Sequence, residues 1–409
     1  MSGSRADMGA LATLLSRCFT LADRLLPDSA FSVPDAKALI RDAGVSPLPD
    51  AVEGLEKLLA SVRAESELSL FGRVSLRWDF IRLLRNAQLI EDAHAANPAL
   101  SAAPVVAPLF ILGLPRSGTS FLHTLMAEDP GSQVPRNWQT IYPAPRPPGF
   151  KPEGDQRVAR VDKQLDLFNG LAPGFRELHP IYADSPQECS EITSHVFQSL
   201  RFDSTHRVPA YFQWLEARGH DEAFHFHKKF LQFLQNGTAS RWVLKCPDHT
   251  FTLDAILRVY PDARFVILHR DPIAVLGSVA HLTQVLRGPF LRGIDAGEIG
   301  AQVAARWTQG ANLLLQFDQR ADVPASRKLH MQYEEFTAAP LAAMARIYAH
   351  FGEELTQPAL QAMDRRIQAK PRGGYGRHAP YRLEAFKLSV PALQAAFLPY
   401  VRQYCQAAR

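Results

Sequence analysis

PLFILGLPRSGTSFLHTLMAEDP, residues 108–130, decides the fold of this chain. Leu109 to Leu112 is an unbroken apolar run, the pattern of a strand buried on both faces. It stops at a loop bounded by Gly113 and Gly118 and passes into a segment with helical character. A strand, a glycine-bounded loop and a helix start form a cradle in which backbone N–H groups converge on an oxyanion. A loop of the form G-x-x-x-x-G-K-[ST] would place a lysine after the second glycine. Here Thr119 and Ser120 follow Gly118, and Arg116, inside the loop, is the nearby cation.

Beyond the loop, short apolar runs alternate with amphipathic segments, the pattern of an α/β fold with a mainly parallel sheet. The strand candidates are Leu109–Leu112, Arg241–Lys245, Arg264–His269 and Lys328–Tyr333, each followed by a helical segment. Sheets of this kind bind ligands at the carboxyl ends of their strands. Before the first strand, residues 8–95 carry helical periodicity, clearest in Leu11, Leu14, Leu15, Cys18, Ala22, Leu25 and Leu26. The expected organisation is therefore a helical N-terminal region over 1–100 and a P-loop-like α/β domain over 101–409, with an insertion at about 140–238. Within the insertion, Tyr142 to Asp155 is too rich in Pro and Gly for regular structure. Residues 156–238 read as mostly helical, and this part is placed to form an acceptor pocket or its lid. The aromatic residues of 211–234 read as one helix that packs a core or lines an apolar acceptor pocket.

The chain has 409 residues and a formal net charge of +4, so it can bury a large core and gives no reason to expect a nucleic-acid partner. Cys18, Cys189, Cys246 and Cys405 are scattered without metal-ligand spacing or the density of a disulfide scaffold, which fits reduced thiols in a cytoplasm. Charged residues interrupt the N-terminus, and no stretch reaches the roughly 18 apolar residues of a membrane span. Neither an export signal nor a transmembrane helix is expected. His225 and His227, two apart on a helix, would face different sides and make a poor metal pair, so no metal site is predicted.

A second informative stretch is Arg241 to Leu282, RWVLKCPDHTFTLDAILRVYPDARFVILHRDPIAVLGSVAHL. One strand delivers Lys245 at its carboxyl end, Asp248 is placed to cap a helix, and the next strand delivers His269 and Arg270. Asp271 and Pro272 make a strong helix start. Ser278 lies about two turns further on, so Arg270 and Ser278 can face one anion. A guanidinium fork with a hydroxyl suits a monophosphate.

PRSGTS at Pro115–Ser120, LKCPDH around Lys245 and the Arg270/Ser278 pair together resemble the nucleotide elements of 3′-phosphoadenosine 5′-phosphosulfate-dependent sulfotransferases. The order along the chain matches as well, and the likeness covers residues 108 to about 385. It is greatest to the bacterial branch, with a more distant similarity to tyrosylprotein sulfotransferases. The resemblance implies that Arg116, Ser117, Gly118, Thr119 and Ser120 hold the 5′-phosphosulfate, and that Arg270 and Ser278 hold the 3′-phosphate. It also implies that Lys245 stabilises the transferring sulfuryl group and that Tyr333 contacts the nucleotide. Phe121 is either core or an adenine-stacking ring, and Arg377, in the glycine-rich segment Arg372–His378, is placed either to close over the 3′-phosphate or in a linker. Sulfuryl transfer needs in-line positioning and charge stabilisation but no bound metal.

The general base stays open between two residues. Related enzymes place a Glu soon after the first helix, whereas Pro135–Thr140 carries Gln139 there, which cannot act as a base. His179 and Glu188, in HPIYADSPQECSEI, are the substitutes, although Ser185 to Glu188 also reads as a capping box and His179 as a surface or structural residue. His123 ranks below both. The reading is thus a cytoplasmic sulfotransferase acting on a hydroxyl or amine of a small-molecule acceptor. A nucleotide-dependent kinase and a catalytically silent nucleotide-binding protein are the alternatives.

Overall fold

Four of the five strands in the computed structural model are the apolar runs read from the sequence. They are β1 (Leu109–Gly113), β3 (Arg241–Lys245), β4 (Arg264–His269) and β5 (Lys328–Gln332). The fifth, β2 (Ser132–Gln133), has two residues and carries no pattern of its own. The structure describes residues 14–15, 17–27, 31–145, 155–235, 237, 241–369 and 381–405. The chain divides into two compact units, each built from three segments.

One unit comprises Val105–Val134, Ala239–His281 and Asp295–Arg409 and contains the sheet. All pairings are parallel, in the order β2-β3-β1-β4-β5. Both faces of the sheet are covered, which is why its strands are continuously apolar rather than alternating. Leu109, Ile111, Val266 and Leu268 pack on one side against Leu122, Leu125 and Met344. On the other side the Phe110 ring stacks on Phe265 at 5.9 Å, and Phe317 meets Phe265 edge-on at 4.9 Å. The chain leaves β1 toward β2 on one flank and leaves β4 toward β5 on the other, so the strand order reverses between β1 and β4. In open parallel sheets that switch point, at the carboxyl ends of the strands, is where ligands bind.

The other unit comprises Met1–Pro104, Pro135–Thr238 and Leu282–Ile294 and is helical among its described residues, apart from isolated bridges. Its long helices are Pro49–Glu65 and Leu70–Ala96, the first started by Pro49 and the second capped by the Ser69 hydroxyl. A buried ionic group ties the latter to the insertion. Arg82 Nη2 lies 2.7 Å from both Asp79 and Glu191, and Arg201 Nη2 lies 2.7 Å from Asp79. The expected single aromatic helix over 211–234 is two, Pro209–Arg218 and Asp221–Gln235, because Gly219 takes a positive φ of 85° and ends the first.

Candidate active site

The β1 loop is shaped by positive φ angles at Gly113 (144°), Arg116 (65°) and Gly118 (89°). A side chain at Gly113 would place its Cβ 2.5 Å from the Leu268 carbonyl oxygen, and one at Gly118 would place it 3.0 Å from the Tyr333 ring. Glycine is therefore required at Gly113 by conformation and contact, and favoured at Gly118 by conformation with the Tyr333 ring as a tight neighbour. Arg116 has no such excuse, and a non-glycine residue in this region costs about 1 kcal/mol or more. The surrounding bonds hold it there: Ser117 Oγ donates to the Leu114 carbonyl at 2.6 Å, and Arg270 Nη1 donates to the Arg116 carbonyl at 2.8 Å. The Ser117 hydroxyl is thus engaged within the loop, while the Thr119 and Ser120 hydroxyls have no hydrogen-bond partner among the described residues.

The helix Thr119–Met126 starts directly at Gly118, so its first-turn N–H groups face the loop. Anions are stabilised at such a terminus. Phe121, on this helix, packs its ring 5.2 Å from Phe336 at the edge of the apolar core. His123 is buried with Nε2 3.2 Å from the Val243 carbonyl, a packed position against β3.

Arg270 follows β4 and stands over the Tyr333 ring, 3.9 Å from its centroid. Of the five N–H donors of a guanidinium, Arg270 uses one among the described residues, leaving the rest of its fork for a ligand. Asp271 begins the next helix as expected, accepting from the Ile273 N–H at 2.8 Å. That places Ser278 on the helix Ile273–Arg287. Its hydroxyl is buried with no hydrogen-bond partner among the described residues. A buried hydroxyl left unsatisfied costs free energy, and such groups are characteristically completed by a ligand or water.

Tyr381 joins this group. Its backbone and Cβ pack against Gly277, its ring lies 5.1 Å from His281, and its hydroxyl is near Ser278 without satisfying the Ser278 hydroxyl. Burial raises the Tyr381 pKa, opposed by the Arg116 guanidinium and Ser278. Burial also lowers the Arg116 pKa, and the second guanidinium, Arg270, pushes it the same way. Two like charges this close favour an anion between them. Nothing in the sequence singles out Tyr381 beyond an aromatic hydroxyl just after a basic, glycine-rich segment. Arg377, in that segment, lies outside the described residues.

Lys245 is buried at the carboxyl end of β3, in register with Ile111 of β1, hence at the same edge as the loop. The two base candidates belong to the helical unit. His179 follows the short helix Phe175–Leu178, half-buried, with its ring 5.8 Å from Phe175. Glu188 is itself the N-cap of the helix Cys189–Thr193, and its side chain makes no cap bond. The capping-box expectation fails, because the helix starts after Glu188 and Ser185 Oγ instead accepts from the Tyr182 N–H. Gln139 does have a cap role, accepting from the Arg136 N–H at 3.0 Å. Asp248, expected as an N-cap, lies 3.2 Å from Arg306, and the helix it would have capped begins later, at Leu253. Among the described residues no group of three His, Cys, Asp or Glu is placed to hold a metal ion. None of their helices is long and apolar enough to cross a membrane.

A parallel α/β protein with a glycine-shaped loop and a helix start at the switch point of its sheet is the class that this fold and site define. The chain belongs to the sulfotransferase family, whose model matches residues 108–357. Curated relatives are the omega-hydroxy-beta-dihydromenaquinone-9 sulfotransferases Stf3 of Mycobacterium bovis and Mycobacterium tuberculosis, each 25% identical over 261 residues. The match takes in 60% of this chain and spans 62% of the length of those relatives. Among solved structures, sulfotransferase STF9 from Mycobacterium avium superposes with a TM-score of 0.80 at 27% identity, covering 90% of this chain and 95% of that one. Sulfotransferase STF1 from Mycobacterium tuberculosis H37Rv gives 0.77 at 28% identity, covering 89% and 97%.

Proposed function

We propose that this protein transfers a sulfuryl group from 3′-phosphoadenosine 5′-phosphosulfate to a hydroxyl or amine of a small acceptor. The observation that carries the reading is the bond from Arg270 Nη1 to the Arg116 carbonyl, which links the residues proposed for the two phosphate groups. Arg116, the N–H groups at the start of the helix Thr119–Met126 and the Thr119 and Ser120 hydroxyls suit the 5′-phosphosulfate. The unused donors of Arg270 and the orphaned Ser278 hydroxyl suit the 3′-phosphate. Tyr333, beneath Arg270 and against Gly118, lies between them and would contact the nucleotide.

In the proposed reaction the acceptor atom forms a bond to sulfur as the bond from sulfur to the 5′-phosphate oxygen breaks. The electron pair stays on that phosphate, and the acceptor proton passes to a base. Arg116 and Lys245 oppose the charge that builds on the leaving phosphate. His179 and Glu188 remain the proposed bases, one of which takes the proton. The relatives named for a hydroxylated dihydromenaquinone make an apolar, hydroxyl-bearing molecule the acceptor class to test first. The supporting experiment follows label from ³⁵S-phosphosulfate donor into a panel of long-chain alcohols and amines. Label should appear in an alcohol with wild type and fall at least about 100-fold with Lys245→Met. Transfer unaffected by Lys245→Met would remove Lys245 from the mechanism. ATP turnover with no turnover of the phosphosulfate donor would replace the reading with a kinase.

A further inference from the structure

Beside Arg270 in the chain lies a largely buried group of rings that shares no described hydrogen bond or ring contact with the donor-site residues above. His269, the last residue of β4, is fully buried between two neighbouring elements. Its Nδ1 is 2.8 Å from the Tyr400 hydroxyl on the helix Val390–Tyr404, and its Nε2 is 2.8 Å from His330 Nδ1 on β5. The Tyr404 ring stacks on His269 at 3.9 Å and 9°, and its hydroxyl donates to Asp318 at 3.0 Å. Asp318 in turn lies 3.1 Å from His330 Nε2, off the hydrogen-bonding direction.

Two imidazole nitrogens 2.8 Å apart share one proton, so one ring donates and the other accepts. Burial lowers the pKa of both histidines, with the neighbouring His330 adding to the effect on His269 and Asp318 opposing it at His330. A Tyr400 O–H donating to His269 Nδ1 leaves Nε2–H to donate to His330 Nδ1, which assigns both bonds without conflict.

This brace is one residue from the anion site. Arg270 follows His269, and Tyr333 follows Gln332, the residue paired with His269 across the two strands. β4 and β5 carry the imidazole pair, with His269 at the end of β4 and His330 two residues before the end of β5, and lead directly into the stack of Arg270 on Tyr333. The helix Val390–Tyr404 contributes to the brace through Tyr400 and Tyr404, although neither ring reaches Arg270 in any described contact.

We propose that His269, His330 and Tyr400 are positioning residues for the donor, fixing the ends of β4 and β5 so that Arg270 and Tyr333 meet the nucleotide in one geometry. The proposal rests on the donor-site reading above. A misplacement of a binding group by a fraction of an ångström is enough to cost affinity.

Calorimetric titration of the full chain with adenosine 3′,5′-bisphosphate tests it. His330→Ala should weaken binding about ten-fold, whereas His330→Asn, whose amide can present an acceptor near the position of Nδ1, should return to within about three-fold of wild type. Tyr400→Phe, which keeps the packing and removes the hydroxyl, should weaken binding about three-fold or more. Folded variants that bind like wild type, or an Asn variant as weak as the Ala variant, would overturn the proposal. Should His330→Ala not fold, Tyr400→Phe decides, and wild-type affinity there overturns it. No binding by wild type would overturn the donor reading itself and this inference with it. Wild-type binding with unaffected variants overturns the positioning role alone.

Discussion

Ser278 holds a hydroxyl that folding buries without a partner, and this asymmetry predicts opposite effects on stability and binding. Ser278→Ala removes an unsatisfied polar atom, so its melting temperature should equal or exceed that of wild type. Its affinity for adenosine 3′,5′-bisphosphate should nevertheless fall about 5- to 10-fold, the worth of one hydrogen bond to a charged group. Calorimetry beside thermal melting checks the split, and a loss of both would make Ser278 a structural residue. Gly118→Ala should behave differently. Its φ of 89° and the Tyr333 ring 3.0 Å from where a Cβ would stand predict a loss of about 1–2 kcal/mol in stability, measured by urea unfolding, together with weaker donor binding. The loop was legible at this scale because an apolar run between glycines leaves few conformations open. Tyr381 was not, because its place is set by the approach of its backbone to Gly277, a contact distant in sequence.

At the scale of elements, the strands that are buried on both faces were legible from composition alone, since only a covered parallel sheet needs unbroken apolar runs. β2 escaped because two residues hold no periodicity, and its pairing with Arg241 and Trp242 is tertiary. Helix limits were less legible than helix existence. Asp271 starts a helix as read, while Asp248 pairs with Arg306 and the stretch 211–234 breaks at Gly219. In each failure a tertiary partner or a left-handed glycine outweighed a local preference. Lys245 shows what an element can still predict. Its position at the end of β3 predicts that Lys245→Met keeps adenosine 3′,5′-bisphosphate affinity within about three-fold while transfer is lost. Loss of both would mean that Lys245 shapes the site rather than acting in the reaction.

Across the whole molecule, stability should depend on pH through histidines that are buried neutral. Burial lowers His195 and His227 to about 3 and His206 to about 4, with Arg82 adding to the shift of His195 and Arg201 to that of His206. An unfolded histidine titrates near 6.5. Because the folded values lie below it, this stability is fully present above pH 6.5 and is lost as pH falls toward about 4 for His206 and about 3 for His195 and His227. Each histidine contributes a slope of about 1.4 kcal/mol per pH unit within that window. Burial opposes ionisation of Asp79, but Arg201 and Arg82 outweigh it and hold its pKa far below the carboxylate range. Asp79 therefore stays paired through the histidine window. Urea unfolding should show several kcal/mol less stability at pH 5 than at pH 7, and equal stability would contradict neutral burial. The donor site rests on a narrower claim, that two separated anion sets meet at one sheet edge. Titration with adenosine 3′,5′-bisphosphate and with adenosine 5′-monophosphate tests it most directly. Wild type should prefer the bisphosphate by about 100-fold, and the double substitution Arg270→Ala, Ser278→Ala should reduce that preference to within about three-fold. Equal affinities in wild type, or a preference that survives the double substitution, would contradict the account.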